Sequence, residues 1–286
     1  MKALRDFFEL IKFEHTIFAL PFAYLGMLLA AGGWPTWPQF IWITLAMAAA
    51  RTLAMGFNRL ADRAIDARNP RTAGRPLVTG AISTRTAWAG VLAAALLLAF
   101  SAWMLGPLPF RLLPGALLFL LGYSFTKRFT WLSHFILGFT DGLAPAGAWA
   151  AVRGSLFTPA DLPAWLLTAT VTLWIGGFDL IYACQDIEPD RRDRLYSIPA
   201  RFGPAFALRL SAVCHVATAL LLAALGWAMH LAWPYWLGVL ITAALLTWEH
   251  ALVKPHDLTK INLAFFNINS YISIALFVAV LAALYL

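Results

Sequence analysis

Between Asn58 and Gly80 the chain reads NRLADRAIDARNPRTAGRPLVTG, with Asn58, Asp62 and Asp66 four residues apart among Arg59, Arg63, Arg68, Arg71 and Arg75. On a continuing helix that spacing puts side chains on one face, with neighbouring Cβ atoms about 5–6 Å apart. Two carboxylates and an amide stacked in this way repel one another unless a cation sits between them. Hard divalent ions such as Mg2+ suit such an oxygen set and complete it with waters and substrate phosphates. The nearby guanidinium groups match the remaining phosphate oxygens as forks. A solvated loop at a membrane surface, where mixed charge is common, is the competing reading of this stretch alone.

A second acidic segment, GFDLIYACQDIEPDRRDRLYSIPARFG, places Asp179, Asp186, Asp190 and Asp193 at offsets of 0, 7, 11 and 14. An unbroken helix would bring these to one face, but Pro189 is expected to kink or end it before Asp190. Asp186 and Asp190 remain the ligand pair. Asp179 lies deeper in an apolar run, where an ionisable group is costly and a functional candidate; its alternative is pairing with a basic residue on a neighbouring helix. Two such clusters on one side can hold two Mg2+ ions against a diphosphate, with arginines and Lys127 offsetting the rest of its charge. Those ions take up charge as the C–O bond to a leaving diphosphate breaks. For an enzyme buried in lipid the attached group is expected to be an isoprenoid tail.

The elements that must position these residues follow from composition. Of 286 residues, 61% are hydrophobic and 12% charged, against about 25% charged in ordinary soluble domains. One globular core cannot hide that apolar excess, so the solvent is lipid. Nine stretches reach the roughly 20 apolar residues that a spanning helix needs: 15–32, 38–57, 86–105, 110–126, 133–152, 163–184, 204–227, 232–252 and 263–286. Gly- and Pro-rich joints separate most of them, and Pro114 is expected to tilt or kink the short fourth. The fold class is all-α and polytopic, a single domain over 1–286 with no soluble module or long linker. The two acidic segments follow spans two and six, which hints at a duplicated four-helix unit plus an extra helix.

With the N-terminus inside, 18 of the 21 lysines and arginines fall on the cytoplasmic side, Lys2, Arg5 and Lys12 among them. Only Arg111 and Arg153 fall outside, with Arg51 within a span, the asymmetry of positive-inside orientation. The start, MKALRDFFELIKFEHTIFALPF, reads as an amphipathic lead-in to the first span rather than a cleaved signal. The net charge of +7 lies between apolar segments rather than in one polar module, which argues against nucleic acid and for anionic lipid or substrate. Cys184 and Cys214 both fall in apolar segments, with neither zinc nor disulfide spacing.

Four motifs in order carry a resemblance over essentially the whole chain. They are Asn58-x3-Asp62-x3-Asp66, the RTAGRPLVTG behind it, Tyr123-Ser-Phe-Thr-Lys127-Arg128, and Asp186-x3-Asp190 with SIPARFG. Together they resemble the UbiA superfamily of intramembrane prenyltransferases. Within it the segments look most like bacterial 4-hydroxybenzoate polyprenyltransferases, particularly the branch associated with menaquinone made by the futalosine route. Many members have Asn-Asp at the first motif, where this chain has Asn58-Arg59. The resemblance implies a nine-helix bundle with a central cavity in the bacterial inner membrane, its active site on the cytoplasmic side. It implies that Asp62, Asp66, Asp186 and Asp190, helped by Asn58, hold Mg2+ on a polyprenyl diphosphate. Arg63, Arg75, Lys127 and Arg128 are then candidates for its oxygens or for the carboxylate of an aromatic acid. Ionisation leaves an allylic cation shielded by aromatic rings, and the ring carbon ortho to the phenol hydroxyl attacks it. Other acceptors within the superfamily are 1,4-dihydroxy-2-naphthoate, homogentisate, haem and chlorophyllide.

Further positions have two readings each. Arg51, seven residues before Asn58, points into the cavity or makes a structural pair. Asp141 and Asp179 are the deepest acidic candidates for a proton acceptor. Tyr123 and Tyr182 line the site or anchor the interface, the commoner role near span ends. His15, His134, His215, His230, His250 and His256 lack metal-ligand spacing and are assigned to helix ends and polar contacts. Trp34, Trp37, Trp233 and Trp236 are expected in an outer aromatic belt. A transporter or a lipid-binding protein would also carry intramembrane charge, but a transporter's charges should recur along a midplane path, and a binder needs no paired carboxylate clusters.

Overall fold

The computed structural model describes residues 9–11, 16–261 and 267–286. The charged lead-in, with Lys2, Arg5, Lys12 and His15, lies mostly outside the described residues. Among those described, nine helices reach 16 residues or more: Thr16–Ala31 (α1), Trp37–Ala61 (α2), Thr84–Leu105 (α3), Pro107–Thr126 (α4), Ser133–Arg153 (α5), Leu162–Ala183 (α6), Pro204–Ala228 (α7), Trp233–Leu252 (α8) and Asn269–Tyr285 (α9). They fall on the nine apolar stretches. Among the described residues six helices are long and apolar enough to cross a membrane by length and composition. The ends α1 and α9 are shorter apolar helices, and α8 is not among the six, so nine spans are not established.

Local chemistry sets most boundaries. Thr36 and Gln39 form a capping box at the start of α2, with a proline in its first turn. Ser83 accepts from the Thr86 N–H to open α3. The chain reverses between α3 and α4 at Gly106, whose φ of 118° only glycine adopts readily. The helix α4 runs unbroken through Pro114. Pro189 does not end its helix either. The break comes earlier, where α6 tightens into a 3-10 turn at Cys184–Asp186 before a short helix, Ile187–Arg192, begins. Pro189 then sits in the first turn of that helix, where a missing N–H costs nothing.

Two clusters of buried side chains flank a central cavity. The larger joins Phe22 and Leu25 of α1 to Trp149, Leu167, Trp174, Leu222, Tyr235 and Leu276 of α5 to α9. The smaller joins α2 to α3 through Ala49, Leu53, Val91, Ala94 and Leu98. Leu96, Leu118, Val213, Leu220 and Leu240 stand exposed on the outside of the bundle, a surface that requires lipid. Trp34, Trp37 and Trp233 are exposed near the outer joints, while Trp236 donates to the Leu231 carbonyl. The helices α5 and α6 touch backbone to backbone, because a Cβ at Gly138 would meet the Thr172 carbonyl and one at Gly142 the Thr168 carbonyl. Cys184 and Cys214 are buried free thiols. His215 and His250 share a 2.9 Å hydrogen bond beside buried Glu249, a polar contact between α7 and α8.

Candidate active site

The helix α2 carries Asn58 out of the bundle in register. It ends at Ala61, yet the Asp62 N–H still donates to the Asn58 carbonyl and the Asp66 N–H to the Asp62 carbonyl. A one-turn helix, Arg63–Asp66, follows, so the four-residue spacing survives a cap. The second acidic pair arrives from the end of α6. Asn58, Asp62, Asp66, Lys127, Asp186 and Asp190 all line one cavity of about 800 Å³. Its far walls are Ile43, Met47, Leu98, Leu105 and Leu112. Ile43 and Leu105 stand at the opposite ends of α2 and α3 from the acids, so the apolar part runs along the bundle.

Three of the four carboxylates have an arginine partner of their own. Arg128 Nη2 donates to Asp62 Oδ1 at 2.9 Å, and the Asn58 amide to Asp62 Oδ2 at 3.0 Å. Burial pushes the Asp62 carboxyl above the usual range, against the bond from Arg128. Arg75 Nη1 donates to Asp66 Oδ2 at 2.5 Å. Arg71 grips Asp186 as a fork, Nε to Oδ1 at 2.9 Å and Nη2 to Oδ2 at 2.5 Å, while Asn69 adds a 2.8 Å bond to Oδ1. Asp190 buries Oδ2 with no hydrogen-bond partner. Lys127 lies among these acids; burial opposes its charge, but Asp190, Asp179, Asp186 and Asp62 outweigh that and raise its pKa.

The other candidates distribute unevenly. Arg63 does not reach the cavity and donates instead to Thr84 Oγ1 at 3.2 Å. Asn58 spends its oxygen on Arg59 Nη1 at 3.1 Å. Tyr123 and Tyr182 line the cavity rather than an interface; Tyr123 donates to the Ala54 carbonyl and Tyr182 accepts from Arg71. Arg51 and Asp141 line its deeper part, where Arg51 Nε is buried without a partner. Asp179 lines the wall and pairs with His134 at 2.6 Å, the basic neighbour that its alternative reading required. Asn69, Arg71 and Arg59 are cavity residues that the spacing argument did not select. Five arginines in one segment offered no sequence signal to separate them.

Among the described residues no three acidic, histidine or cysteine groups form a ready cage for a metal ion. The arrangement still fits Mg2+, which is usually held by one or two carboxylates with substrate phosphates supplying the rest. The unpaired Asp190 oxygen is a donor of the kind such an ion takes, since an acceptor buried without a partner is costly.

A lipid-embedded helical bundle whose cationic and acidic mouth opens onto a long apolar cavity is the architecture of an intramembrane enzyme for lipids with an anionic head. The UbiA prenyltransferase family model matches residues 19–271, and the chain belongs to that family. It is 32% identical over 260 residues to 4-hydroxybenzoate octaprenyltransferase of Methylobacillus flagellatus, covering 91% of this chain and 86% of that one. The enzyme of the same name from Xanthomonas campestris pv. campestris is 33% identical over 259 residues, covering 90% and 83%. The apo structure of a UbiA homolog from Aeropyrum pernix K1 superposes with a TM-score of 0.86 at 36% identity, over 94% of this chain and 98% of that one. A UbiA homolog from Archaeoglobus fulgidus bound to GPP and Mg2+ shares the fold, with a TM-score of 0.72 at 21% identity over 97% and 99%.

Proposed function

We propose that the chain, as a single domain over 1–286, transfers a polyprenyl group from an allylic polyprenyl diphosphate to the ring carbon of 4-hydroxybenzoate ortho to its hydroxyl. The observation that carries this reading is the meeting of both acidic segments and Lys127 at one mouth of an apolar cavity. Asp62, Asp66, Asp186 and Asp190 would hold Mg2+, which supplies charge neutralisation of the departing diphosphate. Lys127, Arg71, Arg75 and Arg128 bind and orient the same oxygens. The prenyl chain lies along the apolar walls from Met47 to Leu112. Phe22, Trp174 and Phe178 line the cavity, with ring centroids 4.6 Å apart for Phe22–Trp174 and 5.3 Å for Trp174–Phe178. These faces shield the allylic cation once the C–O bond breaks. The ring carbon then forms the new C–C bond, and loss of its proton restores aromaticity. Arg51, deep in the cavity with an unpartnered Nε, is the candidate for the acceptor's carboxylate.

The lysine and arginine bias supports a cytoplasmic active site in a bacterial inner membrane. Charge gathered at one mouth also favours an enzyme over a transporter.

The test is incubation of membranes holding the chain with radiolabelled polyprenyl diphosphate and 4-hydroxybenzoate, with and without EDTA. The expected result is Mg2+-dependent, lipid-extractable label that Asp62→Ala and Asp186→Ala each abolish. Normal turnover in both variants removes the metal site. Mass spectrometry of products from a mixed acceptor pool, including 1,4-dihydroxy-2-naphthoate and homogentisate, identifies the acceptor.

A further inference from the structure

A second polar constellation, set back from the mouth, joins three parts of the chain. His134 lies in the first turn of α5 and is 0% exposed. Its Nδ1 stands 2.6 Å from Asp179 Oδ2 on α6, and its Nε2 lies 3.3 Å from the Ile198 backbone nitrogen. A backbone N–H can only donate, so Nε2 is the acceptor and the ring proton is on Nδ1. His134 therefore donates to Asp179. A doubly protonated ring would set two N–H donors against each other at Ile198, so this geometry belongs to the neutral imidazole.

The arrangement leaves the other carboxylate oxygen available. Among the described residues Asp179 Oδ1 has no protein hydrogen bond, and Asp179 lines the cavity. The two helices bearing the pair pack in close backbone contact at Gly138 and Gly142. Ile198 opens the short helix Ile198–Phe202, eight residues beyond Asp190, and Ser197 caps that helix through the Ala200 N–H. The Tyr196 N–H also donates to the Lys127 carbonyl at 2.6 Å. The segment behind the second acidic pair is thus tied both to Lys127 and, through one imidazole, to Asp179.

We infer that His134 is a positioning residue that holds the Asp179 carboxylate in one orientation, with Oδ1 presented to the phenol O–H of the aromatic acceptor. The inference rests on the acceptor class proposed above. His134 touches neither substrate; it acts through Asp179, and its bond to Ile198 selects the tautomer able to do so. This is the hydrogen-bond logic by which an outer partner fixes a histidine tautomer and sharpens the group it contacts.

The test compares three variants for kcat, for KM of each substrate and for thermal unfolding in detergent. The carboxamide of His134→Asn lies near the position of Nδ1 and can still donate to Asp179. That of His134→Gln lies near Nε2 and serves Ile198 instead. His134→Ala removes both bonds. The expected result is a kcat for the Ala variant lowered about 100-fold, with KM for polyprenyl diphosphate within about twofold of the unmodified chain. The Asn variant should recover about tenfold of that loss and the Gln variant almost none. Equal activity of the Asn and Gln variants, or an Asn variant as slow as Ala, overturns the inference. So does a loss of folded protein in all three, which makes the contact structural. Failure of the unmodified chain to prenylate 4-hydroxybenzoate sinks the proposed acceptor instead. The Asn–Gln contrast is then read with whichever acceptor mass spectrometry identifies.

Discussion

The two acidic segments look alike in sequence, and the structure makes them unequal. The first is held mostly from within: Asp66 by Arg75 and Asp62 by Asn58 of the same segment, with Arg128 just beyond α4 adding one bond to Asp62. The second depends on the first. Asp186 takes its bonds from Asn69 and Arg71, and Asp193 takes two from Arg68, while Arg192 reaches back to the Arg68 carbonyl. Exposure divides them less cleanly: Asp186 and Asp190 are each 4% exposed and Asp66 is buried at 7%, leaving only Asp62 partly open. An acidic turn held mostly by its own segment can form largely as its own helix ends. A borrowed one forms only when two distant connections meet, so the second segment is where damage to either should register.

The variants that would break this comparison most severely remove the acids. Asp62→Ala and Asp186→Ala are each expected to lower turnover about 1000-fold or more. Only Asp186→Ala should also loosen the second segment, read as faster protease cleavage between Asp186 and Gly203; equal cleavage there in the two variants would erase the asymmetry.

A smaller effect sharpens it. Arg71→Lys loses a two-bond fork on Asp186 and should lower kcat/KM about 10- to 100-fold. Arg75→Lys loses a single bond to Asp66 and should cost several-fold less in the same assay. Asn69→Ala removes one hydrogen bond to Asp186 and should cost about three- to tenfold.

The smallest effect lies at Asp193, outside the cavity. Arg192, and then Arg68, hold its carboxyl below the usual range against the opposing effect of burial. A depressed folded-state pKa gives stability that is complete above the unfolded value of about 3.9 and lost as pH falls through the lower folded value. Asp193→Asn should therefore melt slightly below the unmodified chain at pH 7, and the two should converge only in acid below the ordinary carboxylate range. A gap that persists there would mean that packing, not the ion pair, joins the segments.

Much of this was legible in the sequence. Apolar length located eight of the nine long helices to within a few residues; for α9, residues 262–266 lie outside the described residues. Hydropathy ended α2 at 57, whereas the helix continues to Ala61, because backbone bonding does not stop where side chains turn polar. Spacing picked out four carboxylates that line the cavity, and pairing with a basic neighbour was the alternative reading of Asp179 that His134 now meets. Arg63 was not separable from Arg71, since both are arginines on the same short connection and only one faces inward.

What the sequence determined by itself is whatever depends on neighbours along the chain: helicity, the need for lipid, the caps and the four-residue runs of acids. Its motifs also carried the family. Tertiary structure decided which guanidinium meets which carboxylate and which nitrogen of His134 holds the proton. Arg71 and Asp186 are 115 residues apart, and His134 and Ile198 are 64 apart. Contacts at that separation are set by how the helices pack, and no local pattern of charge or hydrophobicity encodes them.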